Sequence, residues 1–145
     1  MAKTLTTRIE IEAPKEKVWG ILTDFPAYPQ WNPFIKSISG EARTGARLDV
    51  HLQPPGAKGI TLHPQVLSAV PDQELKWLGH LLFPGIFDGE HHLLIQEKGA
   101  IRITFVQEEA FKGVLVPFTG KMLDKTKQGF ELMNEALKNR AEAVS

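Results

Sequence analysis

Residues 117–143 form an amphipathic stretch, and the chain before it is a run of alternating, strand-like segments. Phe118, Met122, Phe130, Met133, Leu137 and Ala141 recur at steps of three, four or eight. Lys121, Asp124, Lys127, Gln128, Glu131, Lys138 and Asn139 fall elsewhere on the wheel. The spacing predicts one long helix with a single broad apolar stripe, and that stripe must face something. Two of its residues are aromatic and two are methionine, adaptable side chains that line a space of variable contents as readily as they fill a fixed one. Ordinary core and a binding cavity are both open readings of the stripe.

The 145 residues suit one compact domain, expected to span 1–145, and are enough for a real core. Lys plus Arg and Asp plus Glu are equal at 17 each, so the chain lacks the basic field that nucleic acids or anionic membranes attract. Its expected partner is a neutral or apolar small molecule, not a nucleic acid. With no cysteine in the chain, disulfides, thiolate metal sites and cysteine nucleophiles are all excluded. Residues 1–8 already alternate like a strand and offer no apolar targeting core, and no run is long enough to span a bilayer. A cytoplasmic protein without integral membrane insertion is the expectation.

Leu5, Thr7, Ile9 and Ile11 alternate with Thr6, Arg8, Glu10 and Glu12, the period of a half-buried strand. Ala13-Pro14 ends it. Proline suits a first helical turn, and Val18, Ile21 and Leu22 follow at helical spacing, so residues 14–23 read as a short helix. The proline-rich run 24–33 allows one tight helical turn between two breaks. Strands are expected near 34–39, 47–53, 59–68, 74–82, 88–97 and 100–111, divided by turn residues such as Pro54-Pro55-Gly56 and Lys98-Gly99. This order, strand, two short helices, six strands and a long helix, predicts an α+β domain whose curved antiparallel sheet wraps the final helix.

The run from Ile11 through Ala13-Pro14 to Val18-Trp19, the segments Leu22-Thr23-Asp24-Phe25 and Tyr28-Pro29-Gln30-Trp31-Asn32-Pro33-Phe34, Gly45 before a strand, Leu75-Lys76-Trp77-Leu78-Gly79 and the closing helix together resemble the SRPBCC superfamily. The likeness is closest to the polyketide cyclase or dehydrase-like members, related in fold to START lipid-transfer domains and the birch-pollen allergen. The resemblance implies a helix-grip fold, seven antiparallel strands around the C-terminal helix with an apolar cavity between. It implies a fold more strongly than a reaction.

Strand parity selects the side chains that would face the helix. Leu48, Val50 and Leu52 point one way and Asp49 and His51 the other; Leu62, Pro64 and Val66 point in, then Leu75, Trp77 and Gly79, then His91, Leu93 and Ile95, then Ile103, Phe105, Gln107 and Glu109. His91, Gln107 and Glu109 interrupt an otherwise apolar interior. A one-residue slip would exchange them for Glu90, His92 and Glu108. Burying a carboxylate requires a partner, a proton or water. An internal His91–Glu109 contact is one resolution and a polar anchor for a ligand is the other. The cavity-facing set is then Val50, Leu62, Trp77, Phe87, Leu93, Phe105, Gln107 and Phe111 from the strands; Phe118, Met122, Phe130 and Met133 from the helix; and Trp31, Asn32 and Phe34 from the turn.

Strand direction places the connections 53–59, 82–88 and 112–118 at one end of the sheet, with the strand that starts after Asn32. These connectors are unusually apolar, which suits a gate for a hydrophobic guest, a transient membrane or protein contact, or mutual packing that closes the barrel end. No nucleophile elbow, phosphate loop or paired-histidine zinc motif occurs, adjacent His91 and His92 point to opposite faces, and His51, His63 and His80 read as solvated. No metal and no cofactor is expected. Two functions remain in view: a carrier or sensor for a hydrophobic molecule such as a lipid, fatty acid, isoprenoid or polyketide, and a cofactor-free cyclase or dehydratase with His91 and Glu109 as proton carriers. A protein-interaction module acting through the mouth loops is a third.

Overall fold

The computed structural model describes residues 2–81 and 83–143. Strand β1 (Ala2–Ile11) is followed by helix α1 (Lys15–Thr23), a 3-10 turn (Phe25–Ala27) and the four-residue helix α2 (Tyr28–Trp31). Pro14 caps α1 from an extended conformation, and its carbonyl accepts the Lys17 and Val18 amides. Proline at the first turn sacrifices no hydrogen bond there. Asn32 ends the helical segment: its Oδ1 accepts the Phe34 and Ile35 amides at 2.9 and 2.8 Å and turns the chain into β2 (Ile35–Ser39).

Six further strands follow: β3 (Asp49–Leu52), β4 (Ile60–Leu62), β5 (Gln65–Val70), β6 (Glu74–Leu81), β7 (Phe87–Gly99) and β8 (Arg102–Lys112). They form a five-stranded sheet in the order β1-β8-β7-β6-β5 and a three-stranded sheet in the order β2-β3-β4, antiparallel throughout. The eight strands differ from the expected seven because residues 59–68 do not form one strand. Pro64 has no amide proton for the ladder, and the chain bends there from one sheet into the other. The two sheets stay continuous across the bend, where Leu48 N donates to Pro64 O and Val66 N to Ala46 O, both at 2.8 Å.

Helix α3 (Gly120–Glu142) lies in the concavity. Its buried stripe is Leu123, Thr126, Phe130, Met133, Leu137 and Ala141, with Gly129 and Asn134 beside it. The helix starts three residues later than its sequence period suggests. Pro117 lies in a separate 3-10 turn (Val116–Phe118), so Phe118, expected on the inner stripe, is 82% exposed, and Leu123 takes the buried place expected for Met122. At Gly129 the helix touches the segment leading into β2 closely enough that a methyl group would overlap the Phe34 ring. From there to its end α3 is packed solidly: Phe34, Phe105, Phe130, Met133 and Leu137 are all at most 1% exposed. A second, smaller cluster of Phe87, Phe111, Val116 and Leu123 gathers at the other end. No helix among the described residues is long and apolar enough to cross a membrane.

Candidate ligand pocket

A hollow remains between the two clusters, under the first two turns of α3, with a volume of about 60 Å3. That is room for several water-sized groups. Val50, Leu62, Trp77, Phe87, Phe111 and Met122 supply apolar wall, and His91 and Glu109 supply its buried polar end. The antiparallel register sets these two opposite each other on β7 and β8, with Trp77 opposite His91 on β6. Alternation turns all three toward the helix. Gly89 leaves room for the acid, since a Cβ there would overlap Glu109 Oε2. Glu109 keeps 13% side-chain exposure and His91 only 2%.

The His91 ring is wedged between Trp77 and Phe130, with centroids 5.1 and 5.0 Å away. Its Nε2 lies 2.8 Å from Gln107 Oε1. Gln107 Nε2 donates to Asn134 Oδ1 at 2.9 Å and to the Phe130 carbonyl at 3.5 Å. Asn134 Nδ2 donates to Thr7 Oγ1 at 2.9 Å, and Thr7 donates to the Gln107 carbonyl at 3.4 Å. The orientation of the two amides sets the direction of the links: Gln107 Nε2 and Asn134 Nδ2 donate along the relay, and Gln107 Oε1 is turned to His91. With the Gln107 oxygen turned to His91 at 2.8 Å, His91 Nε2 carries the proton. The other ring nitrogen, Nδ1, is left with a bare lone pair 3.9 Å from Glu109 Oε1.

Burial opposes charge on both groups. The His91 imidazole is lowered to about 4, chiefly by desolvation and further by the neighbouring His92, against the Gln107 hydrogen bond, which favours the charged form. Burial pushes the Glu109 carboxyl up to about 8. At neutral pH the pair is a neutral imidazole beside a protonated acid rather than an ion pair. One acceptor and one O–H donor thus share the inner end of an apolar hollow.

Of the residues expected to face a cavity, Val50, Leu62, Trp77, Phe87, Phe111, Met122, His91 and Glu109 line this one. Leu93, Phe105, Phe130 and Met133 face inward into solid core beyond it. Gln107 is fully buried and turns to Asn134 and Phe130. Asn32 organises the turn, Trp31 packs on Tyr28 at 5.1 Å, Phe34 packs edge-on against Phe130 at 5.6 Å, and Phe118 is outside. Leu52, Pro54, Ile60 and His80 also line the wall, although alternation along β6 turned His80 to solvent. At the strand's end its Nδ1 donates to Asp88 Oδ1 at 2.7 Å, and the Asp88 carboxylate also accepts the Gly85 amide at 3.1 Å.

The loops at this end are tied together. Val114 N donates to Gly85 O and Leu115 N to Ile86 O, both at 3.1 Å, and Lys125 Nζ reaches Gly56 O at 3.0 Å. Gly113 has φ 128°, and a Cβ there would overlap the Ile86 carbonyl, so this close approach requires glycine. Phe83, Val114 and Phe118 are 72%, 65% and 82% exposed around the mouth; Leu82, part of the same expected loop, lies outside the described residues.

A bipartite antiparallel sheet closed on a C-terminal helix, hollow at one end, defines a helix-grip protein. The chain belongs to the polyketide cyclase / dehydrase and lipid transport family, whose model matches residues 2–142. Solved structures of the same fold include a START superfamily protein from Mycobacterium smegmatis, 22% identical with TM-score 0.77, covering 96% of this chain and 97% of that one. The Zhui aromatase/cyclase from Streptomyces is 15% identical with TM-score 0.79, covering 98% and 94%. A truncated norcoclaurine synthase from Thalictrum flavum is 12% identical with TM-score 0.77, covering 100% and 96%. At these identities the likeness is one of fold. No curated relative matches the chain in sequence.

Proposed function

We propose that the protein, as one helix-grip domain, binds a hydrophobic small molecule of lipid, isoprenoid or polyketide type in the hollow between sheet and α3, as a carrier or sensor. The observation that carries this reading is an apolar cavity ending on a buried imidazole, His91, and a partly buried carboxyl, Glu109, both uncharged. Apolar contact at about 25 cal/mol per Å2 supplies affinity, and the polar end supplies orientation. The exposed apolar rim of Phe83, Val114 and Phe118 suits the route of entry. Nile red should seat part of its ring system in this hollow, the remainder lying in its open mouth, and be displaced by medium-chain apolar compounds. Met122→Glu and Phe111→Glu should each abolish that binding. Undiminished dye binding in both folded variants would end this reading.

A second reading is favoured by the proton inventory. His91 Nδ1 can take a proton from carbon next to a carbonyl while the Glu109 acid protonates the carbonyl oxygen, the first step of a cofactor-free cyclisation or dehydration. Turnover of a polyketide-like substrate should then vanish in His91→Ala while Nile red still binds. Turnover that survives this variant removes the enzymatic reading and leaves the binding one.

A further inference from the structure

We infer that the His91–Glu109 corner accepts an uncharged hydroxyl group of its guest and rejects a carboxylate, so that the cognate molecules are alcohols or phenols with apolar bodies rather than free fatty acids. The inference deepens the binding reading and rests on it. Three observations carry it. The Gln107 amide, held by Asn134, turns its oxygen to His91, which makes His91 Nε2 the donor and leaves Nδ1 as acceptor. Nδ1 and Glu109 Oε1 are 3.9 Å apart, a span that one guest oxygen can bridge at ordinary hydrogen-bond lengths to both. No Lys or Arg lines the cavity among the described residues; its titratable side chains are Glu109, His91 and His80, and His80 is engaged by Asp88 at the rim.

A hydroxyl placed there donates to Nδ1 and accepts from the Glu109 acid, so the imidazole lone pair and the acid proton are both satisfied. A carboxylate has no proton for Nδ1, meets no cation, and would have to leave its hydration shell uncompensated. Protonating His91 to receive it is opposed by the same burial that keeps the imidazole neutral. The corner therefore distinguishes two headgroups on one alkyl chain.

Displacement of Nile red from the intact protein by 1-octanol and by octanoate measures this. At pH 7, octanol should displace the dye at a concentration at least tenfold below that of octanoate. Raising the pH from 7 to 9.5 ionises Glu109 and turns the corner into two acceptors, so octanol should weaken severalfold. Glu109→Gln keeps a neutral donor at that position and should retain octanol binding without that pH dependence. Octanoate equal to or tighter than octanol, while the dye is displaced by both, overturns the inference and leaves the binding function standing. Displacement by neither overturns the inference together with the function it rests on. A wild-type octanol affinity that is flat from pH 7 to 9.5 removes Glu109 from the recognition and overturns the donor–acceptor assignment.

Discussion

Glu109 holds its proton and His91 lacks one for the same reason, desolvation, but the two act on stability in opposite directions. The folded-state pKa of Glu109 is raised from 4.5 to about 8, so its contribution is fully present below pH 4.5 and is lost as pH rises toward 8. The folded-state pKa of His91 is lowered from 6.5 to about 4, so its contribution is lost as pH falls from 6.5 to 4. Between pH 4.5 and 6.5 the slopes offset. From 6.5 to 8 only Glu109 acts, with a decline of at most about 1.4 kcal/mol per pH unit. The urea midpoint should fall between pH 6.5 and 8 in the wild type and stay level in Glu109→Gln; an equal fall in both would assign the loss to other groups. Alternation alone placed His91, Gln107 and Glu109 on the inner face, because a period of two leaves little choice once the apolar neighbours are fixed. It could not show that Gln107 serves the helix rather than the cavity. That depends on Asn134, whose place is visible in the sequence only as a polar residue in register with Phe130, Leu137 and Ala141.

The closeness of α3 to Phe34 and the looseness of α1 make opposite predictions for the same substitution. Alanine in place of a helical glycine is favourable by about 1 kcal/mol where nothing obstructs it. At Gly20 in α1 nothing lies within 4 Å of the added methyl, so Gly20→Ala should raise thermal stability by a few degrees. At Gly129 the methyl overlaps the Phe34 ring, which is 1% exposed and cannot swing away. Overpacking there costs about 1–3 kcal/mol and should exceed the propensity gain, so Gly129→Ala should melt lower than wild type. Melting curves of the two variants side by side decide it, and a stabilised Gly129→Ala would mean that α3 can stand further from Phe34. The elements themselves were legible wherever one periodicity ran unbroken, as in β1, β6 and α3. They were less so at prolines. Pro64 divides a run that alternates correctly on both sides, and Pro117 detaches Phe118 from a helix whose spacing includes it.

At the scale of the whole molecule the fold separates into an end that holds it together and an end that holds a guest, and the two should be separable by mutation. Fold class follows from the order of strands and helices, and the chain's resemblance to helix-grip proteins adds the closing geometry. How much space survives beneath α3 depends instead on how far its first turns stand off β3, β4 and β6, a distance no local pattern encodes. Met133 is fully buried where the core is solid, so Met133→Ala should leave a void and cost about 2–5 kcal/mol with dye binding retained in the folded fraction. Thr126 lines the hollow, its hydroxyl satisfied by the Met122 carbonyl at 2.8 Å within its own helix. Thr126→Leu removes that hydroxyl without orphaning a buried side-chain donor and projects two further methyl groups' worth of volume into about 60 Å3 of space. Its stability should stay within about 1 kcal/mol of wild type, because the added bulk enters a void rather than packed core. Its affinity for Nile red should drop at least tenfold, since the guest and the new side chain claim the same place. Paired measurements of urea midpoint and dye affinity on these two variants test the division, which fails if the stability loss and the binding loss travel together in both.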